Sequence, residues 1–184
     1  MKRLLTIAIL LATASPSLAQ ERTLIRGGFE SGGFGAAVAK FSQIDGEFAL
    51  FVGGRGGWII NHTVVIGGGG YGLANDIDTN GDGVRDIELG YGGFELEYVS
   101  NSDKLIHFTA YLLVGGGGLS GTAVIEEAVF VLEPALNGEL NVTDYFRFHA
   151  GAGYRWVSGV DSSGVGSADL SAFYAQITLK FGSF

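Results

Sequence analysis

Glycine interrupts the apolar runs of this chain before any reaches the ~20 residues that a membrane-spanning helix needs. The densest case is residues 47–74, EFALFVGGRGGWIINHTVVIGGGGYGLA, where two glycine-filled apolar runs flank the polar turn Asn61-His62-Thr63. Each interior glycine costs a helix roughly 0.5–1 kcal/mol, so 32 glycines in 184 residues exclude long helices. Aromatic and β-branched residues are too abundant for a disordered glycine-rich chain, which leaves an all-β domain. A two-residue turn at Asn61-His62 would set Gly53, Gly54 and Gly56 opposite Gly70, Gly69 and Gly67.

Strand-like runs recur at 33–43, 46–60, 63–75, 86–100, 105–119, 128–141, 144–159 and 171–183. Within them side chains alternate with the period of a strand. Phe94, Leu96 and Tyr98 oppose Glu95 and Glu97. Ile106, Phe108, Ala110, Leu112 and Val114 oppose His107, Thr109 and Tyr111. Phe146, Phe148, Ala150, Ala152, Tyr154 and Trp156 oppose Arg147, His149 and Arg155. One face is apolar and ends in Trp58, Tyr98, Phe148 and Trp156; the other carries the charges. The connections at 61–62, 101–104 and 141–144 are short, whereas those at 76–85, 120–127 and 161–170 are long. An even strand number puts the short turns and both termini on one side. Outer-membrane barrels show this asymmetry, with aromatic girdles where bilayer meets water. A soluble lipocalin-like barrel with the apolar face inside has the same alternation and is the rival fold.

Met1-Lys2-Arg3, the apolar run Leu4–Ala14 and Ser17-Leu18-Ala19 read as a secretory signal peptide, residues 1–19, cut before Gln20. About 165 residues then remain, 20–184, enough for one domain. Cleavage removes Lys2 and Arg3 and no acid, so the formal charge moves from −8 to −10. A chain this acidic is not expected to seek nucleic acid or an anionic membrane surface on charge alone. With no cysteine there is no disulfide framework.

Signal peptide, strand count, loop asymmetry and terminal Phe184 together resemble the small eight-stranded outer-membrane β-barrels, the OmpA/OmpX-like class. The likeness covers nearly all of the chain after the cut. It implies an eight-stranded antiparallel up-and-down transmembrane barrel, monomeric, in contact with outer-membrane lipid. It also implies recognition of Phe184 by the barrel-assembly machinery. GGRGGWIINH and IGGGGYGL further resemble small barrel proteins of Gram-negative bacteria, which implies a location and no activity. Two departures stand out. Ile177, Leu179 and Phe181 are out of phase with Phe184, which calls for a bulge near Gly182. Pro134 interrupts a strand with no free edge, which calls for a second bulge.

Four constellations bear on chemistry. The polar face collects Glu47, Glu95, Glu97, Glu133 and Glu139 against Arg55, Arg147, Arg155, Lys180 and Lys40, with His107 and His149 among them. Eight strands enclose a space that side chains fill, so this set reads as an ionic plug; a binding cavity or gated ion path is the alternative. The loop from Asp76 to Asp86 places Asp78, Asn80, Asp82 and Asp86 at positions 1, 3, 5 and 9 of a calcium-loop pattern with Gly83 at position 6. Leu89 stands where a bidentate acid belongs, so calcium competes with a plain solvated hairpin tip; no other cofactor is expected. Histidine with serine at the membrane rim would suit a lipid A-modifying enzyme. However, His107 and His149 point to the lumen and neither has a serine two residues away, so a non-enzymatic barrel is the leading reading. The glycines themselves lack the strand–loop–helix context of a phosphate loop. They read as a bend in the wall from strand two to strand five, with Gly70 near Gly92, Gly72 near Gly90, and Gly90 near Gly115. Tyr71, Tyr91 and Tyr154 would then lie over bare backbone.

Overall fold

The structure is a computed structural model, and it describes residues 30–77, 87–121, 126–160 and 166–184. The strands are β1 (Ser31–Ile44), β2 (Glu47–Ile60), β3 (Val64–Leu73), β4 (Glu88–Ser100), β5 (Ile106–Ser120), β6 (Glu127–Thr143), β7 (Phe146–Ser158) and β8 (Ala172–Ser183). They close in chain order into one antiparallel barrel, β8 pairing with β1. A single-turn helix, α1 (Ser167–Leu170), precedes β8. The start of β1, the end of β8 and the turns after β2, β4 and β6 share one end, the turn end; α1 and the β1–β2 turn share the other, the loop end.

Turn chemistry sets the registers, and it departs from the simplest reading twice. Asp45 and Gly46 take φ of 49° and 81°, the left-handed pair that a two-residue hairpin demands, and Ile44 pairs with Glu47. Asn61 and His62 are also left-handed, and Thr63 N donates to Ile60 O (3.1 Å). Yet Ile60 pairs with Val64, so Gly54 faces Gly70, Gly56 faces Gly68 and Arg55 faces Gly69. The expected pairing was one residue out. It would have set the inward residues of β2 against the outward residues of β3, and a period-2 strand cannot accept that slip. Between β3 and β4 the glycines fall as expected, Gly70 on Gly92 and Gly72 on Gly90. Between β4 and β5 they do not: Gly90 meets Gly118, and Gly115 meets Gly93. The β4–β5 turn is wider than Asn101–Lys104 because Asn141, on β6, donates to Ser102 O and Lys104 O at 2.9 Å each.

Neither expected bulge forms. The β6–β7 ladder is interrupted at Glu133 and Pro134 but resumes in the same register, Leu132 with Trp156 and Ala135 with Gly153. Proline lacks a donor, so the ladder loses bonds there without gaining a residue. The register of β6 shifts instead between Asn141 and Thr143. Near Gly182 the β1–β8 pairing runs unbroken through Gly33 and Ser183. Phe184 keeps its own phase and turns inward, where it packs with Phe34, Ile59, Val65 and Val99.

The lumen therefore has three layers. At the loop end an apolar cap is built from Ile44, Ile77, Ile87, Leu119, Val160 and Leu170, between 0 and 8% exposed and drawn from several separate connections. At the turn end sits the Phe184 plug. The charges lie between them.

Candidate functional site

Strand alternation carries the site: an inward position on each strand recurs every second residue, and the barrel points all of these at one axis. Lys40, Arg55, Glu95, Glu97, His107, Glu133, Glu139, His149, Arg155 and Lys180 are all buried, between 0 and 6% exposed. Charges taken out of water persist only when paired and hydrogen-bonded, and the pairing here runs as a ladder along the axis.

Nearest the cap, the Lys40 ammonium bonds the Glu133 carboxylate and stands 3.4 Å from the centre of the Tyr71 ring. Tyr91 donates to the other Glu133 oxygen at 2.6 Å. One level down, Glu95 Oε1 accepts from Tyr71 (2.6 Å) and Tyr111 (2.8 Å), and its Oε2 pairs with Arg55 Nε (2.8 Å). Arg55 Nη2 reaches Glu97 at 2.5 Å, and Tyr111 lies 4.6 Å beneath the guanidinium. Lys180 then bridges Glu97 (3.1 Å) and Glu139 (3.0 Å). Glu139 closes the ladder with Arg147 (2.6 Å), His107 Nε2 (3.2 Å) and His149 Nε2. Arg147 also covers the Phe184 ring at 4.1 Å, tying the ladder to the turn-end plug.

The structure moves one of the expected residues, Glu47, and keeps Arg155 inward and Tyr154 outward, where strand alternation set them. Glu47 is exposed beside the Asp45-Gly46 turn and is no part of the buried set, because the two-residue hairpin ends β2 at the rim. Arg155 donates to the carbonyls of Leu170 (2.9 Å) and Gln43 (3.2 Å), so it binds α1 and the β1–β2 hairpin to the mouth. Tyr154 is on the outer wall, edge-on to Phe173 at 4.9 Å. Asp78, Asn80, Asp82 and Asp86 lie outside the described residues.

The tyrosines are the members that sequence reasoning missed. Tyr71, Tyr91, Tyr111 and Tyr174 are inward, buried and hydroxyl-bearing. Tyr71 and Tyr91 had been assigned only to covering glycine, and Tyr71 does that as well: a methyl group on Gly53 would lie 2.6 Å from its Cδ1. Their phase relative to Arg55 and Glu95 was the available signal.

Two chemical readings of the ladder can be weighed on geometry. Donor atoms of Glu97, Glu139 and His149 lie within 4.8 Å of one another, a spacing that suits a metal ion. Lys180 already bonds both carboxylates there and supplies the cation. His107 and His149 are 2% and 0% exposed, on the inner side of the wall. The outer surface is the reverse of the lumen: Phe94, Leu96, Tyr98, Phe108, Leu136 and Phe173 are between 43 and 79% exposed.

Among solved structures, the N-terminal β-barrel domain of OprF from Pseudomonas aeruginosa is similar, with a TM-score of 0.61 at 9% identity over 84% of this chain and 99% of that one. Neisserial surface protein A, NspA, is similar with a TM-score of 0.58 at 12% identity over 85% and 99%. This is the small eight-stranded outer-membrane barrel fold, the OmpA/OmpX-like class. No protein-family model matches the sequence, and neither does any curated protein. The likeness to this barrel class is thus one of fold, reached at identities where side chains in the lumen need not correspond. The ion ladder is accordingly read from this chain's own residues.

Proposed function

We propose that this chain is an outer-membrane β-barrel, exported by a cleaved signal peptide, that is closed to ions, non-enzymatic and of structural or surface-interaction type. The observation that carries the reading is the inverted polarity: charged side chains fill the lumen while large apolar side chains cover the outer wall. In water this arrangement would expose the apolar face at a cost; in a bilayer that face is covered by lipid, and the lumen is where paired charges stay away from the hydrocarbon. The reading is supported further by apolar layers among the described residues at both ends of the ion ladder. Burial of both histidines away from the lipid-facing wall supports a non-enzymatic role.

Residues 20–184, refolded in detergent, should migrate faster on gels before boiling than after. In planar bilayers they should show no conductance steps. Water-soluble folding without detergent would overturn the membrane reading, and steady unit conductance would overturn the sealed lumen. Unaltered lipid A in a deletion strain is the outcome expected for a barrel without enzymatic activity.

The acidic loop is proposed to face the cell exterior, with Asp78, Asn80, Asp82 and Asp86 as oxygen ligands for calcium. Calorimetric titration of the refolded barrel should give binding heat that Asp82→Ala abolishes; no heat in the parent protein ends that proposal.

A further inference from the structure

The seam between the first and last strands does not close along its whole length. β1 runs to Ile44 and β8 begins at Ala172, but their pairing stops at Phe41 and Ala175. Beyond that point each strand keeps its other neighbour: Gln43 pairs with Phe48 on β2, and Phe173 pairs with Tyr154 on β7. The β4–β5 seam, by contrast, is paired to the rim, through Glu88 and Ser120. The parted strands leave a recess of about 600 Å³ in the outer wall, bordered by Phe41, Gln43, Phe48, Tyr154, Phe173 and Ala175. Backbone carbonyls without a strand partner need another donor where water is excluded. Here side chains supply it: Gln43 O accepts from Arg155 Nη2 at 3.2 Å, and Phe173 O from Ser42 Oγ at 3.1 Å. Arg155 Nε also donates to Leu170 O at 2.9 Å, so one guanidinium, resting on Phe51 at 4.3 Å, ties β1 to α1 across the gap. Leu170 and Ile44, the neighbour of Gln43, are both fully buried in the apolar cap.

We propose that Arg155 is the latch of a lateral opening at the loop end of the β1–β8 seam. While it holds both carbonyls, the parting of the strands is confined to the outer wall. When it lets go, the tip of the β1–β2 hairpin and α1 separate, Ile44 and Leu170 leave the cap, and the loop end of the lumen opens sideways. Two side-chain bonds are released by rotation of one residue, whereas a strand ladder yields only as a cooperative unit. The Phe184 plug at the turn end is untouched, so the lumen stays closed along its axis.

The test is amide hydrogen exchange of the refolded barrel in detergent, read by mass spectrometry and corrected for intrinsic rates. Residues 42–45 and 171–174 should exchange roughly tenfold faster than the paired rim of β4 and β5, residues 88–90 and 118–120. Arg155→Met keeps an unbranched apolar stem against Phe51 and removes both donors. It should speed exchange at 42–45 and 171–174 by a further factor of about ten and leave the turn-end half of the barrel unchanged. Arg155→Lys, which serves one carbonyl at a time, should lie between parent and Arg155→Met. Ser42→Ala removes the other side-chain bond without touching the charges and should act in the same direction, so the outcome is read even if neither arginine variant refolds. Exchange in the parent seam no faster than at the β4–β5 rim would overturn the proposal. So would a faster exchange in Arg155→Met that spreads evenly over the barrel, which is what a merely structural arginine produces.

Discussion

Glycines that face the lumen and glycines that face outward occupy the same strands and often adjacent positions, yet their surroundings differ. A methyl group on inward Gly115 would run into Gly92 O and stand 2.7 Å from Gly93 Cα; on inward Gly117 it would stand 2.7 Å from Tyr91 Cα. On outward Gly72 and Gly118 it would meet nothing within 4 Å. Outward Gly92 is an exception, with Gly69 O at 2.6 Å. The difference follows from curvature. A narrow barrel converges toward its axis, so inward Cβ atoms on strongly bent strands approach the neighbouring strand, while outward ones diverge. Glycine in the inward set is needed for the wall to bend; in most of the outward set it only loosens the unfolded chain and the strand.

That contrast depends on what fills the space the inward glycines leave, so the most damaging change should fall on the filling. Glu95, which accepts from Tyr71, Tyr111 and Arg55, stands against Gly69. Glu95→Gln keeps its size and removes its charge, leaving Arg55 without one of its two carboxylates. A loss of roughly 3–5 kcal/mol in urea unfolding is expected, the range for breaking a buried pair. A loss below ~1 kcal/mol would show that the glycine level tolerates an incomplete filling.

Next comes the wall itself. Gly115→Ala should cost about 3 kcal/mol or block refolding, the upper end of over-packing, because the obstacle is backbone that cannot rotate aside. Heat-modifiable migration of Gly115→Ala at the parent's midpoint would break the comparison outright. The smallest effect sharpens it from the other side. Gly72→Ala and Gly118→Ala should leave the midpoint unchanged or raise stability by ~0.5–1 kcal/mol, since alanine is the better strand residue and has room. Destabilisation at these two positions would assign the outward glycines a contact of their own.

How much of this was legible beforehand varies along the chain. The faces of β4, β5, β6 and β7 were readable residue by residue, because which side a side chain takes depends only on the period of its own strand. Gly70 opposite Gly92 was readable because a long connection centred on the acidic loop tolerates small errors. The β4–β5 register was not, since its turn is widened by Asn141, which lies well beyond that hairpin in the chain. The two expected bulges failed for a related reason: Pro134 lost ladder bonds without adding a residue, and Phe184 found its partners inside the barrel rather than in the phase of β8.

The charged site divides in the same way. Its membership followed from alternation, apart from Glu47, misplaced by a rim turn, and the tyrosines, whose hydroxyls counted for more than their rings. Its wiring did not follow. Lys40 meets Glu133 across 93 residues, and Lys180 meets Glu97 across 83. Such pairs form only once shear and closure set which inward positions share a height. The cap over the ladder, drawn from connections far apart in the chain, is equally a product of closure. Strands with one charged and one apolar face could be read along the chain, because that property is local. Which charge meets which, and what seals them, emerged only on closure, because those distances span the barrel.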